Sequence, residues 1–118
     1  MLQNLGTVCI IKKDYVQARK WCEASLAINP RNEISYNNLS FIFLQGNEID
    51  KAIEYARKAL EIFPRYGDAY LNLARDYAAK GLIEPATESY RNAKLYNPLL
   101  ESAVDSELQA LQARTKGR

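Results

Sequence analysis

The sequence predicts an all-α solenoid, with three helical hairpins and a C-terminal capping helix forming one domain over residues 1–118. Three observations support this prediction. Prolines recur 34 residues apart, at Pro30, Pro64 and Pro98. Between them, apolar residues recur at steps of three and four, which is the spacing of one face of an α-helix. A break containing Gly, Asn or charged residues then divides each unit into two helices.

The 34-residue period extends well beyond the prolines. It aligns four further columns, which are Asn4, Asn38 and Asn72; Leu5, Leu39 and Leu73; Ala18, Ala52 and Ala86; and Tyr15, Ile49 and Ile83. The units are therefore predicted at about 1–32, 33–66 and 67–98. The alanine column lets neighbouring helices approach closely, and each proline ends the second helix of its unit.

The chain after Pro98 has a different pattern, which predicts a cap. Leu100, Val104, Leu108 and Leu111 share one helix face, and polar residues cover the other. A solenoid needs such a terminus because each repeat buries its apolar stripe only against a neighbour. We expect the capping helix at about 99–114 and a frayed tail at 115–118.

Composition argues against several classes of function. The 16 basic and 14 acidic residues are interspersed, so no basic patch for nucleic acid is expected. No run approaches the roughly 20 apolar residues of a membrane span, and no targeting signal is found, so a cytoplasmic location is expected. The chain has no histidine, phosphate-binding loop or CxxC pair. We expect no enzyme activity, cofactor or metal.

The offsets within each unit carry a family resemblance. The third unit has the fullest set: Tyr70, Leu73, Ala74, Tyr77, Gly81, Ala86, Tyr90, Ala93 and Pro98. The second has Tyr36, Leu39, Ser40, Phe43, Ala52, Ala56, Ala59 and Pro64, and the first, which is weaker, has Leu2, Leu5, Gly6, Cys9, Ala18, Cys22, Ser25 and Pro30. This pattern resembles the tetratricopeptide repeat family over nearly the whole chain. The resemblance implies a scaffold or adaptor for protein–protein interaction.

In that family the first helices of successive units line a concave groove that receives a peptide or a partner's helix. The resemblance places these residues in the groove: Gln3, Asn4, Thr7, Ile11, Asn37, Asn38, Phe41, Gln45, Leu71, Asn72, Arg75 and Ala79. The asparagine column would grip a peptide main chain, or would simply be hydrated. Phe41 and Leu71 suggest apolar pockets, although Phe41 also suits partly buried packing. Arg75 is expected to be the single cation available for an acidic group.

One subgroup of the family binds acidic chaperone tails through two Lys, two Asn and one Arg. The corresponding residues here are Gln3, Thr7, Asn38, Asp68 and Asn72, and only Asn38 matches. Asp68 adds negative charge where a carboxylate would dock. The sequence therefore argues against binding of chaperone tails.

Two alternatives concern the first unit and the wider context. Cys9 and Cys22 occupy core positions on facing helices, as a disulfide or as two reduced thiols, and the lack of an export signal favours thiols. The second hypothesis for function is a regulatory or self-association segment of a larger enzyme or membrane-anchored protein. Leu2 and Leu5 of an uncapped first helix would then be exposed, and the chain would self-associate through its open N-terminal repeat.

Overall fold

The computed structural model describes residues 14–116, which form six α-helices and one 3-10 turn. The elements in order are α1 (Tyr15–Ile28), α2 (Glu33–Gln45), α3 (Ile49–Ile62), α4 (Gly67–Ala79), α5 (Ile83–Tyr96), the 3-10 turn (Pro98–Leu100) and α6 (Glu101–Lys116). The predicted all-α solenoid is confirmed. Within the described range, α1 is the second helix of unit one, α2 and α3 form unit two, and α4 and α5 form unit three.

Helix boundaries follow the sequence period. Helices α1, α3 and α5 begin at residues 15, 49 and 83 and end at residues 28, 62 and 96, so each boundary recurs after 34 residues. The breaks inside units two and three contain the two left-handed residues of the described chain, Asn47 with φ 61° and Gly81 with φ 78°. Asn and Gly tolerate this conformation best, so the predicted breaks are confirmed at these two sites.

The helices pack in sequence order into an elongated body of 46 × 26 × 22 Å. Short connections make the two helices of a unit antiparallel, and α3 packs on α4 to join units two and three. Ala18, Ala52 and Ala86 are completely buried, as the close approach of neighbouring helices requires. Cys22 is also completely buried in the core of α1, α2 and α3. Cys9 lies outside the described residues, so the choice between disulfide and thiols stays a prediction.

The capping helix packs against unit three through Val104 and Leu111, which are 0% and 3% exposed. It extends to Lys116, two residues beyond its predicted end. The Thr115 hydroxyl donates to the Leu111 carbonyl at 3.1 Å, within the last turns of this helix. Among residues 14–116, no helix combines the length and the apolar character that crossing a membrane requires.

Candidate functional site

The first helices of units two and three line a cleft of about 260 Å³, which the start of the cap helps to close. We call it the α2/α4 cleft. Its lining consists of Asn37, Asn38, Phe41, Asp68, Leu71, Asn72, Arg75 and Leu100. Six of these were predicted as groove residues from the sequence. From the sequence, Asp68 was placed only at the position where a carboxylate would dock in relatives that bind acidic tails, and Leu100 was not predicted in the groove.

The floor of the cleft is a hydrogen-bonded link between the two units. The Asn72 side-chain amide donates to the Asn37 side-chain oxygen at 2.7 Å and to the Asn37 carbonyl at 3.2 Å. The Asn37 amide donates to the Tyr66 hydroxyl at 3.4 Å. Asn37 and Asn72 are only 8% and 6% exposed. Asn72 therefore ties unit three to unit two, which corrects the picture of a row of exposed asparagines that grip a ligand.

The Tyr66 hydroxyl, which accepts the hydrogen bond from Asn37, is uncharged at neutral pH. Burial raises the pKa of Tyr66 to about 12, and the nearby carboxylates of Asp68 and Glu33 push it in the same direction. The hydroxyl therefore stays protonated at neutral pH and carries no charge into the cleft. Glu33 lies in the first turn of α2 and Asp68 in the first turn of α4, so both helices begin with a negatively charged side chain near Tyr66.

The walls of the cleft are partly apolar. Phe41 is half-buried and makes an edge-to-face contact with Tyr15 of α1, with ring centroids 5.9 Å apart. Phe41 thus packs against the preceding helix and also lines the cleft, so both sequence interpretations apply to it. Leu71 is 7% exposed and belongs to the core of unit three. The apolar surface offered to a ligand comes mainly from Phe41 and Leu100.

Arg75 is not the available cation that the sequence suggested. Its guanidinium donates to both carboxylate oxygens of Glu107 on α6, at 2.9 and 2.8 Å. Glu107 also accepts a hydrogen bond from the Tyr90 hydroxyl at 3.0 Å. Burial raises the pKa of Glu107, but the hydrogen bonds and charge of Arg75 and the bond from Tyr90 outweigh it, so the pKa lies below its ordinary value. The carboxylate of Glu107 therefore balances the charge of Arg75. Sequence periodicity does not predict this partner, because Glu107 lies in the capping helix and not in a repeat.

Asp68 is the other charged residue of the cleft. It lies in the first turn of α4 and accepts a hydrogen bond from the side-chain amide of Asn97 at 2.8 Å. An amide is neutral, so it leaves the charge of the carboxylate uncompensated. The lining has one acidic and one basic residue, Asp68 and Arg75, and the charge of Arg75 is already balanced by Glu107 from outside the lining.

The remaining predicted groove residues lie elsewhere. Gln45 does not line the α2/α4 cleft and instead borders a separate hollow of about 220 Å³ beside Tyr15 and Val16. This corrects its assignment to one continuous site. Asn4 and Thr7 lie outside the described residues, as do the apolar residues on which the prediction of self-association depended.

A buried carboxyl lies outside the cleft lining, at the junction of units two and three. Asp76 of α4 is 0% exposed, and its Oδ2 accepts from the Ser40 hydroxyl at 3.4 Å. Its Oδ1 has no hydrogen-bond partner among residues 14–116. Burial raises the pKa of Asp76 to about 7 against the opposing effects of Ser40 and Arg75. Asp76 was not among the residues predicted from the sequence, although the period aligns it with Ile42 in an apolar column.

No arrangement for metal chemistry accompanies this carboxyl. In the part of the chain that the structure describes, no group of three or more His, Cys, Asp or Glu side chains could hold a metal ion. The α2/α4 cleft combines amide, apolar and weakly acidic surface. Such surface suits the binding of a peptide or protein segment.

The chain matches the Tetratricopeptide repeat family model over residues 1–65. Similar proteins include the BBSome complex member BBS4 of Bos taurus, which is 32% identical over 86% of this chain and 19% of that protein. The small glutamine-rich tetratricopeptide repeat-containing protein 2 of Mycosarcoma maydis is 28% identical over 82% of this chain and 28% of that protein. The chain thus spans less than a third of either relative.

Comparison with solved structures supports the same architecture. The Arabidopsis OM64 TPR domain superposes with a TM-score of 0.84 and 19% identity, over 95% of this chain and 92% of that one. At this identity the likeness establishes the fold alone. The sequence period, the helical hairpins and the family match agree, and the chain belongs to the tetratricopeptide repeat family.

Proposed function

We propose that this chain is a protein-binding scaffold or adaptor that holds an extended segment or a helix of a partner protein in the α2/α4 cleft. Membership of the tetratricopeptide repeat family implies protein–protein interaction, and the presence of the α2/α4 cleft supports this location for the partner. The observation that carries the proposal is the convergence of Asn38, Phe41 and Leu71, with three other predicted groove residues, on one concave surface.

The properties of the cleft favour a peptide over a small polar metabolite. Its floor is fixed by the link between Asn37 and Asn72, so the two first helices hold their spacing before a ligand binds. Preorganisation of this kind lowers the entropic cost of binding. Phe41 and Leu100 offer an apolar surface for one side chain, and Asn38 adds a polar side chain to the same lining.

The proposal is tested by selecting ligands and then locating where they bind. The purified chain is presented with a displayed library of random short peptides, and the dissociation constants of the selected peptides are measured by fluorescence anisotropy. Phe41→Ala removes the aromatic wall of the cleft and is expected to weaken binding by about tenfold or more, as truncation of a central aromatic contact typically does.

Tyr96→Ala is the matched control. Tyr96 is also a partly exposed aromatic that stacks on a neighbour, here Tyr70 at 5.6 Å, but it lies at the end of α5 and not in the cleft. It should leave the dissociation constants unchanged. Equal binding by the wild type and Phe41→Ala, with both variants folded by circular dichroism, would overturn the proposed location.

A further inference from the structure

The charge of the α2/α4 cleft carries information about its ligand. Of the two charged lining residues, Arg75 is already paired in a two-point ion pair with Glu107. Among residues 14–116, the hydrogen-bond partner of Asp68 is the neutral side-chain amide of Asn97. A ligand that enters the cleft therefore meets one carboxylate whose charge is not balanced by a cation within the lining.

The neighbourhood of Asp68 strengthens this negative character. Glu33 lies in the first turn of α2, as Asp68 does in the first turn of α4. Both carboxylates lie near enough to the Tyr66 hydroxyl to raise its pKa. An acidic ligand would have to approach these charges and compete with Glu107 for Arg75, whereas a basic side chain would meet complementary charge.

We propose that the α2/α4 cleft selects a partner segment with a Lys or Arg side chain placed to pair with Asp68, next to an apolar side chain that packs on Phe41 and Leu100. This inference rests on the proposed binding function and adds the chemistry of the partner. Asp68 supplies the selectivity for the basic side chain. The Arg75–Glu107 pair stays intact when the segment binds.

The experiment uses peptides selected on the full chain, without assuming the identity of the natural partner. Sequencing of the selected pool should show Lys or Arg enriched beside an apolar residue, and Asp and Glu depleted. For a representative peptide, Asp68→Asn should weaken binding by about fivefold or more, since it removes the charge and keeps the shape of the side chain. Increasing sodium chloride should weaken binding to the wild type more than to this variant.

Two controls keep the result interpretable. Asp50→Asn removes an exposed carboxylate that pairs with Lys80 at 2.6 Å, away from the cleft lining, and should leave binding unchanged. Replacing the basic residue of the peptide by Glu tests the same charge pairing on the unaltered protein, so the answer does not depend on the folding of a variant. This replacement should abolish measurable binding.

The outcomes separate this inference from the proposed function. Selected peptides that lose affinity with Phe41→Ala but are acidic or neutral, or that bind Asp68→Asn as tightly as wild type, would overturn the basic-partner inference and leave the groove as the binding site. Peptides unaffected by either substitution, or no selected peptides at all, would overturn both.

Discussion

Units two and three have the same backbone design but differ in chemistry at matching positions. Ile42 in unit two corresponds to the buried carboxyl of Asp76, and Phe41 corresponds to the ion-paired Arg75. Both pairs lie on the first helix of the unit, where successive units meet. The 34-residue period thus fixes where helices begin and pack, while residues that depart from it place a buried carboxyl and an ion pair at the junction.

Replacing Asp76 by the neutral residue Asn should change the free energy of unfolding more than any other substitution described below. A carboxyl with a raised folded-state pKa adds stability below its ordinary pKa of 3.8, and this stability is lost as the pH rises to about 7. Asp76→Asn stays neutral at every pH. Chemical denaturation at pH 8 should show the variant to be more stable, by at most about 4 kcal/mol, since each pKa unit corresponds to about 1.4 kcal/mol.

Near pH 4 the wild type and Asp76→Asn should have similar stability, because the wild-type carboxyl is then largely protonated. The exposed substitution Asp50→Asn is the control and should show no such pH dependence. If the difference in unfolding free energy between wild type and Asp76→Asn is the same at both pH values, ionisation of Asp76 does not destabilise the folded chain.

Gly46 and Gly67, which both lie at helix ends, differ in the space around them. A Cβ added at Gly67 would lie 2.6 Å from the Asn97 Cβ and 2.9 Å from the Ala93 carbonyl oxygen, so backbone would have to move. At Gly46 the nearest atom would be 3.6 Å away, which is ordinary contact. Gly67→Ala should cost about 2 kcal/mol of unfolding free energy. Equal thermal melting curves for Gly67→Ala and Gly46→Ala would contradict the close approach of α4 and α5.

The ion pair between unit three and the cap should contribute less. Glu107→Gln is expected to lower the unfolding free energy by about 1 kcal/mol at neutral pH, because the partly buried Arg75 loses its charged partner. Since the pKa of Glu107 is lowered, the loss should shrink as the pH falls through that pKa. Glu54→Gln removes an exposed i,i+4 pair with Lys58 and should change stability by less than about 0.5 kcal/mol. Urea denaturation at neutral and acidic pH measures both, and equal losses for the two variants would contradict the role of the cap.

The smallest effects concern the breaks inside the units. Gly81→Ala should cost about 1 kcal/mol because an L side chain is strained at φ 78°. Asn47 occupies the matching break with φ 61°, so Asn47→Gly should be neutral or slightly stabilising, within about 0.5 kcal/mol. Thermal melts of both variants test the comparison, and destabilisation by Asn47→Gly greater than that by Gly81→Ala would count against it.

Periodicity predicted the hairpins and the breaks. The resemblance to the tetratricopeptide repeat family implied that the first helices of successive units line a groove, and Asn38, Phe41 and Leu71 do line one cleft. Periodicity does not predict contacts between residues at different positions of the repeat. Asn72 pairs with Asn37, which is 35 residues away and therefore in a different column, and the Arg75 partner Glu107 lies in the non-periodic cap. Only packing in three dimensions reveals that these two groove residues are already occupied.

Binding in the α2/α4 cleft can be located directly by NMR. A peptide selected on the chain is titrated into the isotopically labelled protein, and the amide signals are followed. We expect shift changes to concentrate on α2 and α4, at residues such as Asn38, Phe41 and Asp68. Shift changes confined to α3 and α5 would contradict this expectation, because they would place the ligand away from the α2/α4 cleft.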